Sequence, residues 1–576
     1  MESVLFANIK KLFANELYSC VIRTSSLLST LLQNDRNVAT PEMEYQVLLF
    51  SANAHYHERN FRAASKQYEA ALLMRKTMLR VKNTQLVSIE ITYEQFAELE
   101  TRYRLARSYR ELDEDQKAIV ILQALPLKSR TPKVNMLLAH LWQYGQNVEN
   151  AEAISAYKEV LGDCSMALGA IEALLMLGVD GIEVNSLVVN ASALPKHIDW
   201  LSSWIKAHAQ LYGRDHLEAS KTFQAINDNT KFHQNYYLLA LIGKTLYYYG
   251  RYIQAQQYLE TAVMVNPHST EAIMPLAVVY EYNQKFSQLD KLSTHISNIK
   301  ELNSDHWFVV AENCYAAGQI EKAISFAKKA IELNERNVEA QLLRGRICLQ
   351  LKQRQEAISY FRAAQCIAGY RFEVYKGLYH CYVGMKRRDE AQAMCALAVR
   401  YFRNSPRSYV MFARVLLHSN NPLAKKSAKK FLAKALEIDE HYSVAVALMA
   451  DVCQANGETQ EASAMLKKQV MTFPNHSYFS MLGDLRRTLR DLDGALEYYT
   501  IALSIEPNDR RALKGVNALT RGGDKQDQDT SLMLSRMRDE EWQIDDEAEE
   551  SSSHDDDDSD TYSDPFWQDL ESEVIN

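Results

Sequence analysis

Side chains able to attack a bond, move a proton or hold a metal are scattered through this 576-residue sequence rather than gathered. The eight cysteines are Cys20, Cys164, Cys314, Cys348, Cys366, Cys381, Cys395 and Cys453, and no two are spaced C-x-x-C. A zinc or dithiol reading therefore has little support. Most of them fall inside helical patterns, where a buried and inert thiol is the expectation. There is no glycine-rich phosphate loop, no H-E-x-x-H and no G-x-S-x-G. His380 and His418 have no nucleophile or carboxylate in register that would make either a general base. The expectation is a non-enzymatic chain that carries no cofactor and no metal.

What does recur is a row of residues 34 apart: Lys244, Val278, Glu312, Arg346, His380 and Arg414. Its last three members are joined by Lys376, one helical turn before His380, and form a basic stretch. Such a row could seat a carboxylate or the acidic tail of a partner through charge-assisted hydrogen bonds. The competing reading is a solvated helix face with local ion pairs of small energy. Tyr247, Tyr248 and Tyr315 divide in the same way between core or groove wall and a binding hot spot.

A spacing of 34 belongs to the elements that must carry these residues. Self-alignment finds it most clearly from Tyr236 to Asp509, in about eight units. The first has Gly243 in one helix, Gly250 at the turn, Ala255 and Ala262 in the next helix, and Pro267 at the exit. Two helices that cross closely need a small residue on each at the crossing, and Gly243, Ala311 and Gly345 are matched there by Ala255, Ala323 and Ala357. An aromatic residue one turn farther along the same face, such as Phe361 or Tyr499, fills the gap. Small and aromatic residues at these offsets are the tetratricopeptide pattern. The expected fold is an all-α tetratricopeptide-repeat solenoid, a superhelix of about 12–13 helix pairs. Cys314 and Cys348, 34 apart, are small core residues in equivalent slots.

Composition agrees. With only 19 Gly and 11 Pro, the chain has few breakers. No apolar run is long enough for a membrane span, and Lys10 and Lys11 interrupt the only apolar start. An intracellular chain is expected. The net charge of −8 is uneven: 17 acidic residues and no Lys or Arg lie from Asp539 to the end. The remainder is mildly basic, without the dense basic stripe of a nucleic-acid binder. Four regions follow: N-terminal helices over 1–44, degenerate repeats over 45–235 as the expected dimerisation half, regular repeats with a capping helix over 236–520, and a disordered acidic tail over 521–576. In the tail, Trp542 and the cluster Asp564–Leu570 are either a short docking motif or part of a solubilising segment, and Ser551–Ser553, Ser559 and Ser563 lie among acids that favour phosphorylation. At the other end, Leu5, Ile9, Leu12, Phe13 and Leu17 recur at helical spacing. A solenoid that opens on an apolar helix needs a cover, and a second copy of the chain is one solution. The alternative is that this helix folds back on its own first pairs.

Four stretches are more specific than the repeat: RTPKVNMLLA at 130–139, AYKEVL at 156–161, DWLSSWIKA at 199–207 and IALSIEPND at 501–509. They resemble a family of tetratricopeptide subunits of the anaphase-promoting complex, or cyclosome, and the resemblance covers nearly the whole chain. It implies a homodimeric, non-catalytic subunit of a ubiquitin ligase acting in mitosis and cell division. Such a subunit sits on sister repeat subunits in the arm that receives coactivator and substrates, and works in nucleus and cytoplasm. The short linker from Lys76 to Glu90 departs from the longer insertion typical of the family. A co-chaperone or other adaptor for acidic tails is the alternative, but the inward Lys and Asn set that such a clamp needs is absent from the pair at Tyr45–Met78.

Overall fold

The computed structural model describes residues 2–34, 40–80, 93, 96–145, 149–190, 199–299, 302–417 and 422–520. The acidic tail, its aromatic cluster, His418 and most of the 76–90 linker lie outside the described residues. Every described element is helical, and none of these helices is long and apolar enough to cross a membrane. Contacts divide the chain into two compact units, one ending at Ile205 and one beginning at Lys206, inside the helix Asp199–Tyr212.

The first unit begins with the pair Glu2–Ala14 and Tyr18–Asn34, ahead of the units read from the repeat pattern. The pairs Pro41–His57 with Phe61–Arg80, Glu98–Arg110 with Asp115–Gln123, Pro132–Tyr144 with Asn150–Asp163, and Leu168–Met176 with Gly181–Asn190 follow. Buried hydroxyls pair the two helices in this unit: the Tyr68 hydroxyl donates to Asn53 Oδ1 at 2.8 Å, and the Tyr157 hydroxyl to Gln143 Oε1 at 2.8 Å.

In the second unit, eight helix pairs run from Tyr236–Tyr249 with Tyr252–Val265 to His476–Thr488 with Leu492–Ile505, closed by Arg510–Thr520. The small residues do what the pattern requires. A Cβ on Gly243 would meet Leu259 Cγ at 2.5 Å, and one on Gly345 or Gly377 would meet the Phe361 ring at 2.6 or 2.4 Å. Phe361 thus fills the space between the inner helices of two successive pairs. The turn inside each pair uses the left-handed region at one recurring slot, Gly250, Gln284, Gly318, Lys352 and Lys386, with φ of 102°, 55°, 73°, 61° and 59°. Asn235, Asn303 and Asn337 cap the first helices of their pairs by accepting backbone N–H bonds.

Candidate functional site: a buried ionic core on the inner helices

The first helices of five successive pairs in the second unit carry a second 34-residue row in their first turns: Glu271, Asp305, Glu339, Glu373 and Arg407. Its last three members meet around Arg371, which stands just before helix Phe372–Gly384. The Arg371 guanidinium donates to Glu339 Oε1 at 2.6 Å, to Glu373 Oε2 at 3.0 Å and to the Tyr247 hydroxyl at 3.0 Å, with only 1% of the residue exposed. Arg407 donates to Glu373 Oε1 at 3.1 Å, to the Tyr248 carbonyl at 3.3 Å and to the Tyr252 hydroxyl at 3.3 Å. Tyr247 in turn donates to Glu339 Oε2 at 3.3 Å. Two carboxylates and two guanidiniums alternate, so the net charge of the group is zero. The cations also lie over rings, Arg371 at 4.0 Å from the Tyr248 centroid and Arg407 at 4.4 Å from that of Phe372.

These contacts tie the first pair of the regular array to the fourth, fifth and sixth. Beside them, the turn of the preceding pair, between helices Asp199–Tyr212 and His216–Asn229, reaches the same later pairs. Arg214 donates to the Gly369 carbonyl at 3.3 Å and lies 4.1 Å from the Tyr401 ring centroid, and Asn404 donates to Asp215 Oδ2 at 2.9 Å. His216 is buried between the Tyr248 and Phe402 rings, and burial pushes its pKa down to about 3. Arg371 and Arg407 lower it further, against Glu373, which raises it.

The row that the sequence singled out has a different character at each position. Arg346 is buried and donates to Glu281 Oε2 at 2.8 Å and, on its other side, to Glu312, with the Tyr315 ring centroid 5.1 Å away. The carboxylate seat expected for a partner at Arg346 is therefore filled by two carboxylates of the chain itself. One of them, Glu312, is the preceding member of the same row. Burial pushes the Glu312 carboxyl up to about 7, opposed by Arg346 and reinforced by Glu281. Lys376 is buried, His380 lies beside Tyr379, and Lys244 and Arg414 are partly exposed, with Lys244 5.9 Å from the Tyr248 ring centroid. The row does not converge on one open basic seat. The row Glu271 to Arg407 was equally legible, since it has the same period; its mixture of signs concealed it from a search for one charge.

The cysteines in the core are held as thiols. Burial pushes Cys381 up to about 12 and Cys453 up to about 11, and raises Cys395 far above its ordinary value. Cys453 lies with Glu458 and Glu461 in a metal-like trio. The Lys429 ammonium already spans both carboxylates, at 2.5 and 3.3 Å.

At the N-terminus, Ile9 is fully buried within its own chain and Phe13 packs edge-on against Phe50, ring centroids 5.0 Å apart. Leu5 and Leu12 are half-buried. Of the five residues read as a cover for a second copy, Leu17 alone is widely exposed, at 51%. Much of that stripe folds back on the next pair, which was the alternative.

Comparison with known proteins shows what this chain is similar to. A tetratricopeptide-repeat family model matches residues 426–485, and one described as anaphase-promoting complex, cyclosome, subunit 3 matches residues 280–364. Human anaphase-promoting complex subunit 7 is 29% identical over 517 residues, covering 89% of this chain and 91% of the human protein. The chain is similar to the subunit 7 proteins along most of its length. The Arabidopsis thaliana subunit 7 is 23% identical, with 83% of this chain and 88% of the plant protein covered. Among solved structures, the crystal structure of the APC/C hetero-tetramer Cut9-Hcn1 contains a chain with a TM-score of 0.56 at 13% identity, covering 90% of this chain and 96% of that one. That likeness shows a shared tetratricopeptide solenoid. The subunit 7 likeness confirms the resemblance carried by the four short stretches.

Proposed function

We propose that this relative of subunit 7 is a non-catalytic scaffold and docking subunit of the anaphase-promoting complex, supporting ubiquitination of cell-cycle proteins through protein–protein contacts. The observation that carries the reading is similarity to subunit 7 along nine-tenths of both chains. The buried ionic core supports it, because its charged groups are matched to each other in holding helices together. Its partners are then sister tetratricopeptide subunits and a second copy of itself. An acidic coactivator tail would approach Lys244 and Arg414, the partly exposed members of the charged row. Nucleus and cytoplasm are the compartments this role requires.

The test is recovery of the tagged full-length chain from dividing cells, with mass spectrometry of what accompanies it and a ubiquitination assay on the recovered assembly. Sister repeat subunits and ligase activity are expected. Recovery of chaperones alone would favour the adaptor alternative and overturn this one.

A further inference from the structure

The part of the chain before Asp539 carries a net charge of +9, and one short stretch holds an excess of that size. Residues 386–438 contain twelve Lys and Arg against three acidic residues, a net charge of +9. Three of the twelve are used inside the fold, Arg407 in the ionic core, Arg414 on an inner helix and Lys429 between Glu458 and Glu461. The others decorate the second helices of two successive pairs, Arg388–Tyr401 and Pro422–Ile438, and the turns beside them. Lys386, Arg387, Arg388, Arg400, Arg403 and Lys426 are exposed. Helix Pro422–Ile438 has five lysines and a single carboxylate, Glu437, and no acid in its first turn. Lys425 and Lys426 lie near its start, where the helix dipole favours anions and cations add to the positive potential. Successive second helices run in the same direction, so this start and that of Arg388–Tyr401 share one edge of the array.

The matching charge is in the same chain. Residues 539–576 hold 17 acidic residues and no Lys or Arg. The 18 residues between the last helix and Asp539 have a root-mean-square span of about 25 Å as a flexible chain. They can extend to roughly 60 Å. The two parts of the basic edge lie two and three helix pairs before the closing helix, and packed helices are about 8–10 Å apart. We propose that the acidic segment 539–576 docks on the basic edge formed by Lys386–Arg388, Lys425, Lys426 and Lys430 of its own chain, and shields it from other acidic partners. Attraction between two such surfaces is long-ranged and screened by salt, with a Debye length of about 8 Å at physiological ionic strength.

Zero-length coupling of carboxyl to amine groups on the full-length protein, mapped by mass spectrometry at low and high salt, tests this. The tail carboxylates should join Lys386, Lys425, Lys426 and Lys430 several-fold more often than other lysines, within one molecule, and high salt should abolish the preference. Small-angle scattering should show a compact tail at low salt. The tail should be released in the variant Lys425→Glu/Lys426→Glu/Lys430→Glu, and equally when Asp555–Asp558 are changed to Asn. The second variant leaves every helix untouched, so a folding defect in the first does not protect the idea. Couplings spread evenly over the surface, or found only between molecules, would overturn the proposal, as would a tail dimension indifferent to both variants and to salt.

Discussion

Arg371 is a cation almost without access to water, so its stability depends on Glu339, Glu373 and Tyr247. Removing one partner of a buried pair leaves an uncompensated charge and typically costs about 3–5 kcal/mol. Arg371→Ala is therefore expected to lower the unfolding free energy by about that much in urea titration. The simultaneous replacement of Arg371, Glu339 and Glu373 by apolar residues of similar size should cost less than the single change. Protons act on the same core in opposite senses at two residues. His216 has a folded pKa of about 3 against an ordinary 6.5, so the unfolded chain binds the proton first. Its contribution to stability is present above pH 6.5 and is lost as pH falls toward 3, at about 1.4 kcal/mol per pH unit. Glu312, with a folded pKa raised to about 7, behaves in reverse: the folded chain holds a proton that the unfolded chain releases. Its contribution is present below pH 4.5 and is lost as pH rises to 7. Thermal melts across pH 4.5–7 should show a shallower acid loss for His216→Phe, and a steeper one for Glu312→Gln, than for the parent protein.

At the level of the helix pair, the crossing glycines make a prediction whose sign is informative. Gly→Ala inside a helix ordinarily gains up to about 1 kcal/mol. At Gly377 the added carbon would stand 2.4 Å from the Phe361 ring. Gly377→Ala should therefore destabilise, by about 1–3 kcal/mol as for other overpacked sites. Adding Phe361→Leu should recover part of the loss in a double-mutant cycle. The turn slot argues the other way. Lys352 holds a φ of 61° where Gly250 and Gly318 occupy the equivalent position. A side chain in the left-handed region is strained by about 1–2 kcal/mol. Lys352→Gly is expected to raise the melting temperature, corresponding to up to about 1 kcal/mol after the greater freedom of glycine in the unfolded chain is counted. The period of 34, the crossing residues and the turn positions were legible because each is imposed by contacts within a pair or with the next one. The pair at Glu2–Asn34 was legible only as helices, from its apolar spacing and not from the repeat, since its packing surface is read by a single neighbour and needs no consensus.

For the whole molecule, self-association is the property that the proposed role requires and that the N-terminal pair can supply. Val4, Leu17 and Leu27 are exposed there at 63%, 51% and 63%. Multi-angle light scattering of the full-length chain should give a dimer at micromolar concentration. Leu17→Asp with Leu27→Asp should convert it to a monomer of unchanged helical content. Ile9→Asp should instead lower the melting temperature, because Ile9 is buried in its own chain. A monomeric parent protein would remove the homodimer from the proposed function.

Local pattern determined that this chain is a run of helix pairs, where most of them begin and turn, and which face of each first helix looks inward. It also contained the four stretches that resemble the subunit 7 proteins. Tertiary structure alone decided which inward residues meet. Tyr247 reaches Glu339, 92 positions on, and Arg407 reaches the Tyr248 carbonyl, 159 positions back. Such meetings depend on the small rotation between neighbouring pairs accumulated over several of them. A repeat pattern records only the contacts within one step. For that reason the sequence could place Arg346 on the inner face but could not show that this face closes on itself.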